Sequence, residues 1–322
     1  MEYLKYSIIA IIILLLEIIY IPIAKYYQIG NVVTPRSSHH KFSITGGGFI
    51  FYFSAILFYL IFDFTLPKSF ITMLVGATAL ALISFYDDIK NISPWIRLVI
   101  HILVVATTFN QILFNGYYDI FLLLLICGVG FINAFNFMDG INGILTGYTI
   151  VTLSTLLYQF NDIKIGNGLT AFTITLIITT TIFGCFNFRK KAKCFAGDVG
   201  AIVMGFFILY LMSELILNTS DASALIFLIV YAIDSVYTIF QRLFAGENIF
   251  LPHRHHLYQI LANQWHIHHY KVAIGYSVIQ LLINCIYLYL PDDLKWSYFI
   301  IVTIILTIIY FIIKRSPKSK RK

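Results

Sequence analysis

A chain of 322 residues that is 59% hydrophobic and only 11% charged, with a mean hydropathy of +0.85, lacks the charged surface that a soluble globule of this size carries. These values indicate an integral membrane protein, and its net charge of +7 bears on orientation in the bilayer, since basic residues of a polytopic chain gather in its loops, and not on nucleic-acid binding. Apolar runs extend from end to end with no separate soluble segment, so residues 1–322 are expected to form one integral-membrane domain.

A bilayer core takes about 20 apolar residues per helix, or about 17 at the short end. Spans are expected near 6–27, 47–62, 69–85, 96–114, 118–136, 140–160, 168–186, 199–217, 222–240, 272–290 and 297–313. The first run is longer than a signal-peptide core and is followed by no small-residue cleavage pattern, so it is expected to remain as a span. The fold class is therefore an all-α polytopic membrane protein with about eleven transmembrane helices. An odd number of spans puts the termini on opposite sides. Of the 22 Lys and Arg, 18 then fall in one set of loops, and only Lys5, Lys68, Lys164 and Lys295 fall in the other. The positive-inside rule makes the first set cytoplasmic, with the N-terminus outside and the C-terminus inside. Cys127, Cys185, Cys194 and Cys285 have no Cys-x-x-Cys spacing, which argues against a zinc site or a disulfide framework. They are expected to be small buried hydrophobes.

Polar clusters interrupt the apolar runs at four places: Phe85-Tyr86-Asp87-Asp88, Asn133 to Gly143, Lys193 to Asp198, and His253-Arg254-His255-His256. The span count places all four on the cytoplasmic side, where they can build one acidic, metal-binding site. Adjacent carboxylates such as Asp87 and Asp88 repel unless a cation or a proton intervenes, and such pairs hold magnesium beside a phosphate; a solvated helix end is the plainer alternative. Asp139 and Asp198 each precede a span beside a glycine, where a carboxylate can simply cap the helix. Cap and ligand are compatible, because a helix N-terminus also attracts phosphates. The His253–His256 segment with Arg254 suits phosphate recognition. The His266, His268, His269 group is expected to be interfacial. Asp234 and Glu17 are ionisable groups inside spans; Asp234 could pair with Arg242 or cap a water pocket, and Glu17 has no assignment. The loop from Pro35 to His40, leading to Gly46-Gly47-Gly48, is basic and glycine-rich and suits a close approach to an anion or a neighbouring helix.

In this order the residues resemble the polyprenyl-phosphate N-acetylhexosamine-1-phosphate transferases. The resemblance rests on Arg36-Ser37-Ser38-His39 with the triple glycine, Asp87-Asp88, Asn136-Phe137-Met138-Asp139-Gly140, the 187–200 segment, and His253-Arg254-His255-His256. It implies transfer of a sugar 1-phosphate from a UDP-N-acetylhexosamine to a polyprenyl phosphate, with release of UMP and with Mg2+, or Mn2+ in its place, as cofactor. It implies catalytic roles for Asp87, Asp88, His253, His255 and His256, and contacts to the substrates from Asn136, Asp139, Asn187, Lys193, Arg254 and Arg36. Asp198, with Asp88, is implied as metal ligand. It also implies a bacterial cytoplasmic membrane location and a product that starts a lipid-linked surface glycan; a homodimer is compatible with it. Three departures stand out: Asn142 where many members have a second aspartate, Thr45 in place of an arginine before the triple glycine, and Ala196 and Ala201 in place of methionine and serine.

Phosphoryl transfer needs charge neutralisation and in-line positioning more than covalent chemistry. A single displacement by the lipid phosphate is expected, with a two-step route through a phosphorylated Asp87 as its rival. A polytopic ion-coupled transporter is the reading from another class, although the polar groups gather at one face and no internal repeat is present. A CDP-alcohol phosphotransferase would need Ala-Arg after Asp139-Gly140, and an intramembrane prenyltransferase would need a second aspartate-rich motif.

Overall fold

The computed structural model describes residues 2–31, 43–62, 64, 66–90, 92–110, 118–248 and 254–320. Among these are twelve α-helices: α1 (Glu2–Tyr26), α2 (Phe49–Ile61), α3 (Lys68–Ile89), α4 (Pro94–Thr108), α5 (Tyr118–Phe137), α6 (Ile144–Asp162), α7 (Asn167–Asn187), α8 (Gly197–Thr219), α9 (Ile229–Phe244), α10 (Leu257–Asn263), α11 (His269–Leu288) and α12 (Asp292–Arg315). A two-residue antiparallel pair, β1 (Gly30–Asn31) with β2 (Ser43–Ile44), is the strand structure among the described residues, with Gly30 opposite Ile44.

Each expected span overlaps a helical segment among the described residues, and 111–114 of the fourth span lie outside them. Seven are long and apolar enough to cross a membrane: α1, α3, α7, α8, the Ala222–Phe244 segment that ends in α9, α11 and α12. The apolar helices α2, α4 and the Phe121–Phe137 part of α5 are shorter. The 13 residues of α2 reach about 20 Å at 1.5 Å per residue, less than the about 30 Å of a bilayer core.

The bundle is built around α8, which is apolar on all sides and therefore buried on all sides: α2, α3, α5 and α6 pack on it. Flanking it, α6 carries α7 and α11, and α4 closes against α3 and α5. At the periphery α12 is just as apolar, yet 11% of its apolar window is buried, as expected where lipid and not protein is the neighbour. The threonines of α7 do not break its apolar character, because Thr173, Thr175, Thr179 and Thr180 donate to the carbonyls four residues back.

Two expectations change. The ninth span is not one α-helix but a 3₁₀ segment, Ala222–Leu228, followed by α9. The backbone groups released at the junction are taken up by Gln280 of α11, whose Oε1 accepts from Val230 N–H (3.1 Å) and whose Nε2 donates to the Ile226 carbonyl (2.9 Å); non-helical backbone within a bundle requires such partners. The cysteines are not uniformly buried: Cys194 is, while Cys127, Cys185 and Cys285 are exposed, standing on helix faces where a thiol is as acceptable as any small apolar group.

Candidate active site

Consecutive residues on an α-helix point about 100° apart, so Asp87 and Asp88 at the end of α3 serve different neighbours. Asp87 faces the start of α4: its Oδ1 accepts Ile92 N–H (2.6 Å) and its Oδ2 takes Arg97 Nη1 at 2.5 Å. Asp88 faces the start of α8, where Oδ1 accepts Asp198 N–H (3.0 Å) and Oδ2 accepts Val199 N–H (3.1 Å). Asp88 is thus the N-terminal cap of α8, delivered from another helix, a role that answers the unpaired N–H groups of a first turn. Asp198 does not cap its own helix. Its carboxylate stands in the first turn of α8 with Oδ2 2.5 Å from the same Arg97 nitrogen, so one guanidinium bridges Asp87 and Asp198. The Asn136 carboxamide lies in hydrogen-bonding range of Asp198.

Close backbone approach makes this possible. Gly197 has φ +72°, and a Cβ there would come within 2.5 Å of Asp88 Oδ2 and of the Gly46 nitrogen. The strip after β2 runs beside the residues before α8: Phe195 N–H bonds the Ile44 carbonyl (2.8 Å), and Gly47 and Gly48 N–H bond the Phe195 and Ala196 carbonyls (both 2.9 Å). Gly48 meets Gly200 backbone to backbone, and a Cβ on Gly200 would lie 2.8 Å from that of Ala196. Ala196, one departure from the family pattern, packs its Cβ at this crossing. Thr45, another, donates from Oγ1 to Asp88 Oδ1 at 3.3 Å.

The loop between α5 and α6 brings Asp139 alongside. Its Oδ1 is buried with no partner among the described residues. Burial first, then the nearby Asp198 and Asp88 carboxylates, hold the Asp139 carboxyl well above the ordinary carboxylate range. The loop is fixed from two sides. Asn187 Oδ1 accepts Gly143 N–H (2.8 Å), while its Nδ2 donates to the Cys194 carbonyl (3.0 Å). Fully buried, Asn187 therefore joins two loops. Asn142, buried as well, donates to the Arg189 carbonyl (2.9 Å). On the other side Tyr258 donates to the Phe137 carbonyl (2.8 Å) and lies hard against Gly140.

Tyr258 connects the acidic cluster to the histidine segment. Asp234 caps α10 as Asp88 caps α8, accepting Leu257 N–H (2.7 Å) and Tyr258 N–H (3.2 Å), and it also takes Tyr276 OH (2.7 Å). His256 Nδ1 lies 3.4 Å from Asp234 with both side chains about 2% exposed, so His256 is built into the fold beneath the site. Asp234 does not pair with Arg242, which instead binds Glu247 (2.9 Å). His255 is open, 56% exposed and 3.9 Å from Glu247; burial and the Lys314 and Arg242 cations, opposed by Glu247, lower its pKa below the usual imidazole value. Lys193 is exposed, with its ammonium 5.7 Å from the Phe186 ring centre. Arg36 and His253 lie outside the described residues. Among the described residues no group of three or more His, Cys, Asp or Glu is arranged to hold a metal ion.

Beside the acidic cluster a cavity of about 410 Å³ opens between α4, α5 and α9. Arg97, Asn133 and Asn136 supply polar groups to its lining, and Leu98, Ile102, Leu125, Ile126, Val129 and Ile239 are among the apolar residues that line it. In the sequence Arg97 stands out only as one of the basic residues of the expected cytoplasmic loops. Its spacing ten residues after Asp87, one turn into a helix begun by Ser93-Pro94, is the signal that could have placed it here.

Residues 70–216 match the family model described as glycosyl transferase family 4, a stretch that contains Asp87, Asp88, Arg97, Asn136, Asp139, Asn187, Lys193 and Asp198. The chain is 28% identical over 280 residues to the phospho-N-acetylmuramoyl-pentapeptide-transferase of Lactobacillus gasseri, covering 76% of this chain and 83% of the relative. It is 25% identical to the probable undecaprenyl-phosphate N-acetylglucosaminyl 1-phosphate transferase of Bacillus subtilis, covering 84% and 78%. The undecaprenyl-phosphate alpha-N-acetylglucosaminyl 1-phosphate transferase of Escherichia coli is likewise 25% identical, covering 73% and 70%. Across residues 70–216 and along most of its length, the chain is similar to members of glycosyl transferase family 4.

Proposed function

We propose that this enzyme transfers an N-acetylhexosamine 1-phosphate from a UDP-sugar to a polyprenyl phosphate such as undecaprenyl phosphate, releasing UMP and starting a lipid-linked surface glycan on the inner face of a bacterial cytoplasmic membrane. The observation that carries this reading is the cavity between α4, α5 and α9: an anionic head fits its Arg97 end, and an isoprenoid tail fits its Leu- and Ile-lined length. The relatives named above act on polyprenyl phosphates or carry phospho-sugar transferase names, which agrees with that shape.

Asp139 and Asp198 would contribute two ligands to a divalent cation, fewer than the three that a protein-only site among the described residues would need. Asp139 Oδ1 is a buried acceptor without a partner among the described residues, and Asp87 and Asp198 already share a positive group. Asp198 and Asp139 would hold Mg2+, or Mn2+, which would offset the charge of a diphosphate. Asp88 is spent on the cap of α8, so it positions Asp198 and is reassigned from ligand to support. Arg97 binds the lipid phosphate and aligns one of its oxygens with the sugar-proximal phosphorus. Asp87 receives the proton of that phosphate. Asn136 and Lys193 contact the nucleotide sugar, and Arg254 and His255 face the departing UMP, in a single displacement.

The transporter reading is weaker because its two candidate coupling groups are committed: Asp234 caps α10 and Glu17 accepts the Cys194 thiol. The test is to incubate membranes holding the protein with polyprenyl phosphate, a magnesium salt and a panel of UDP-N-acetylhexosamines. UMP release that requires the lipid phosphate supports the reading; none with any donor refutes it.

A further inference from the structure

Glu17 is a fully buried carboxyl on α1, a helix whose apolar window is otherwise 28% buried. Such a group is costly to keep inside a membrane protein and marks a function. The Cys194 thiol donates to its Oε1 at 2.8 Å, while Oε2 is buried without a partner among the described residues. Burial, with Glu17 adding to it, raises the Cys194 thiol pKa, so the sulfur keeps the proton it donates. The pair lies directly under the glycine strip: a Cβ on Gly47 would come 2.8 Å from Cys194 Sγ and 2.9 Å from Glu17 Oε1. One turn further along the same face of α1, Tyr20 donates to the Thr45 carbonyl at 2.6 Å. The first helix thus grips residues 45–47 at two points, and Thr45 in turn touches Asp88.

We propose that Glu17 and Cys194 are a positioning pair. They seat the Thr45–Gly48 strip against the Cys194–Ala196 strip, and so fix Asp88 and the first turn of α8 that carries Asp198. The working link is the S–H···O hydrogen bond and its fit under Gly47. The activity arm of the test rests on the transferase reading above; the labelling arm does not.

The experiment uses the full chain in detergent with Cys127, Cys185 and Cys285 changed to serine. Glu17→Leu and Cys194→Ala each lower kcat by about tenfold or more, with KM for the UDP-sugar held within about twofold, because misplacing a reacting group costs rate before it costs binding. Glu17→Gln and Cys194→Ser keep an acceptor and a donor, and return kcat to within about threefold of the parent with an unchanged pH profile. Cys194 resists a small maleimide in the parent and in Glu17→Gln, and reacts about tenfold faster or more in Glu17→Leu. Parental kcat in both Glu17→Leu and Cys194→Ala overturns the pair, as does equal damage from Glu17→Gln and Glu17→Leu. Fast labelling of Cys194 in the parent overturns it without reference to activity. A parent that releases no UMP refutes the transferase reading instead, while the labelling result still decides the pair.

Discussion

Arg97 holds two carboxylates with a single nitrogen, so its removal leaves Asp87 and Asp198 as adjacent like charges in a partly buried place. Breaking such a cluster from one side is more damaging than never having built it. Arg97→Ala is expected to lower the melting temperature in metal-free detergent, with added Mg2+ recovering it, and to lower the rate of UMP release by about 10²-fold even in saturating Mg2+. Asp198→Asn keeps the backbone N–H that Asp88 accepts. It should leave melting nearly unchanged and reduce transfer by about 10²-fold or more, since it removes charge where the diphosphate is held; near-normal transfer would make Asp198 structural. Asp139 adds a pH dependence. Its folded-state pKa is raised by burial and by Asp198 and Asp88, so the folded state holds this proton more tightly than the unfolded chain. That stabilisation is full below the ordinary carboxylate value of about 4 and is lost as pH rises through the raised folded value. In metal-free buffer the melting temperature should fall over this window, and Asp139→Asn should flatten the slope.

Among elements, α2 and α8 meet where Gly48 and Gly200 touch. Gly48→Ala forces the two apart and should cost about 1–3 kcal/mol by the overpacking measure, read as a lower melting temperature. The separation also pulls the strip away from Asp88, so transfer should fall more steeply than stability. At the opposite side of the bundle, the junction between the 3₁₀ segment and α9 depends on Gln280. Gln280→Leu strands the Val230 N–H and the Ile226 carbonyl, and should cost about 1–2 kcal/mol. Hydropathy alone had these residues as one continuous span. Nothing within residues 222–240 announces the break, because the side chain that makes it tolerable comes from α11.

For the whole molecule, the placement of helices was legible in the sequence because it depends on local apolar length, and each expected span overlaps a helical segment among the described residues. Side-chain partners were legible only in part. Asp87, Asp139 and Asp198 could be singled out by type, yet their neighbours Arg97 and Thr45 are ordinary residues until the chain folds back on itself. Asp88, expected as a catalytic group and metal ligand, His256, expected as a catalytic group, and Asn187, expected as a substrate contact, each make hydrogen bonds or close contacts that hold the scaffold, and a conspicuous polar residue in an apolar chain serves equally well as cap, clamp or ligand. The distribution of Lys and Arg sets an expected orientation, with the N-terminus outside and the C-terminus inside. It is checked by placing single cysteines at Ser316 and at Ser220 in a background with Cys127, Cys185 and Cys285 replaced. A membrane-impermeant maleimide applied to intact cells should label position 220 and spare position 316; the reverse pattern would invert the topology and put the acidic cluster on the wrong side for a nucleotide sugar.

The two borrowed caps have a consequence for how the chain is made. Asp88 is synthesised before α8 and Asp234 before α10, so in each case the acceptor is already in place when the helix that needs it emerges, and vectorial synthesis from the N-terminus proceeds in the favourable direction. A permuted chain that began between α3 and α8 would reverse one of these orders, leaving the first turn of α8 waiting in the membrane for a partner still to be translated.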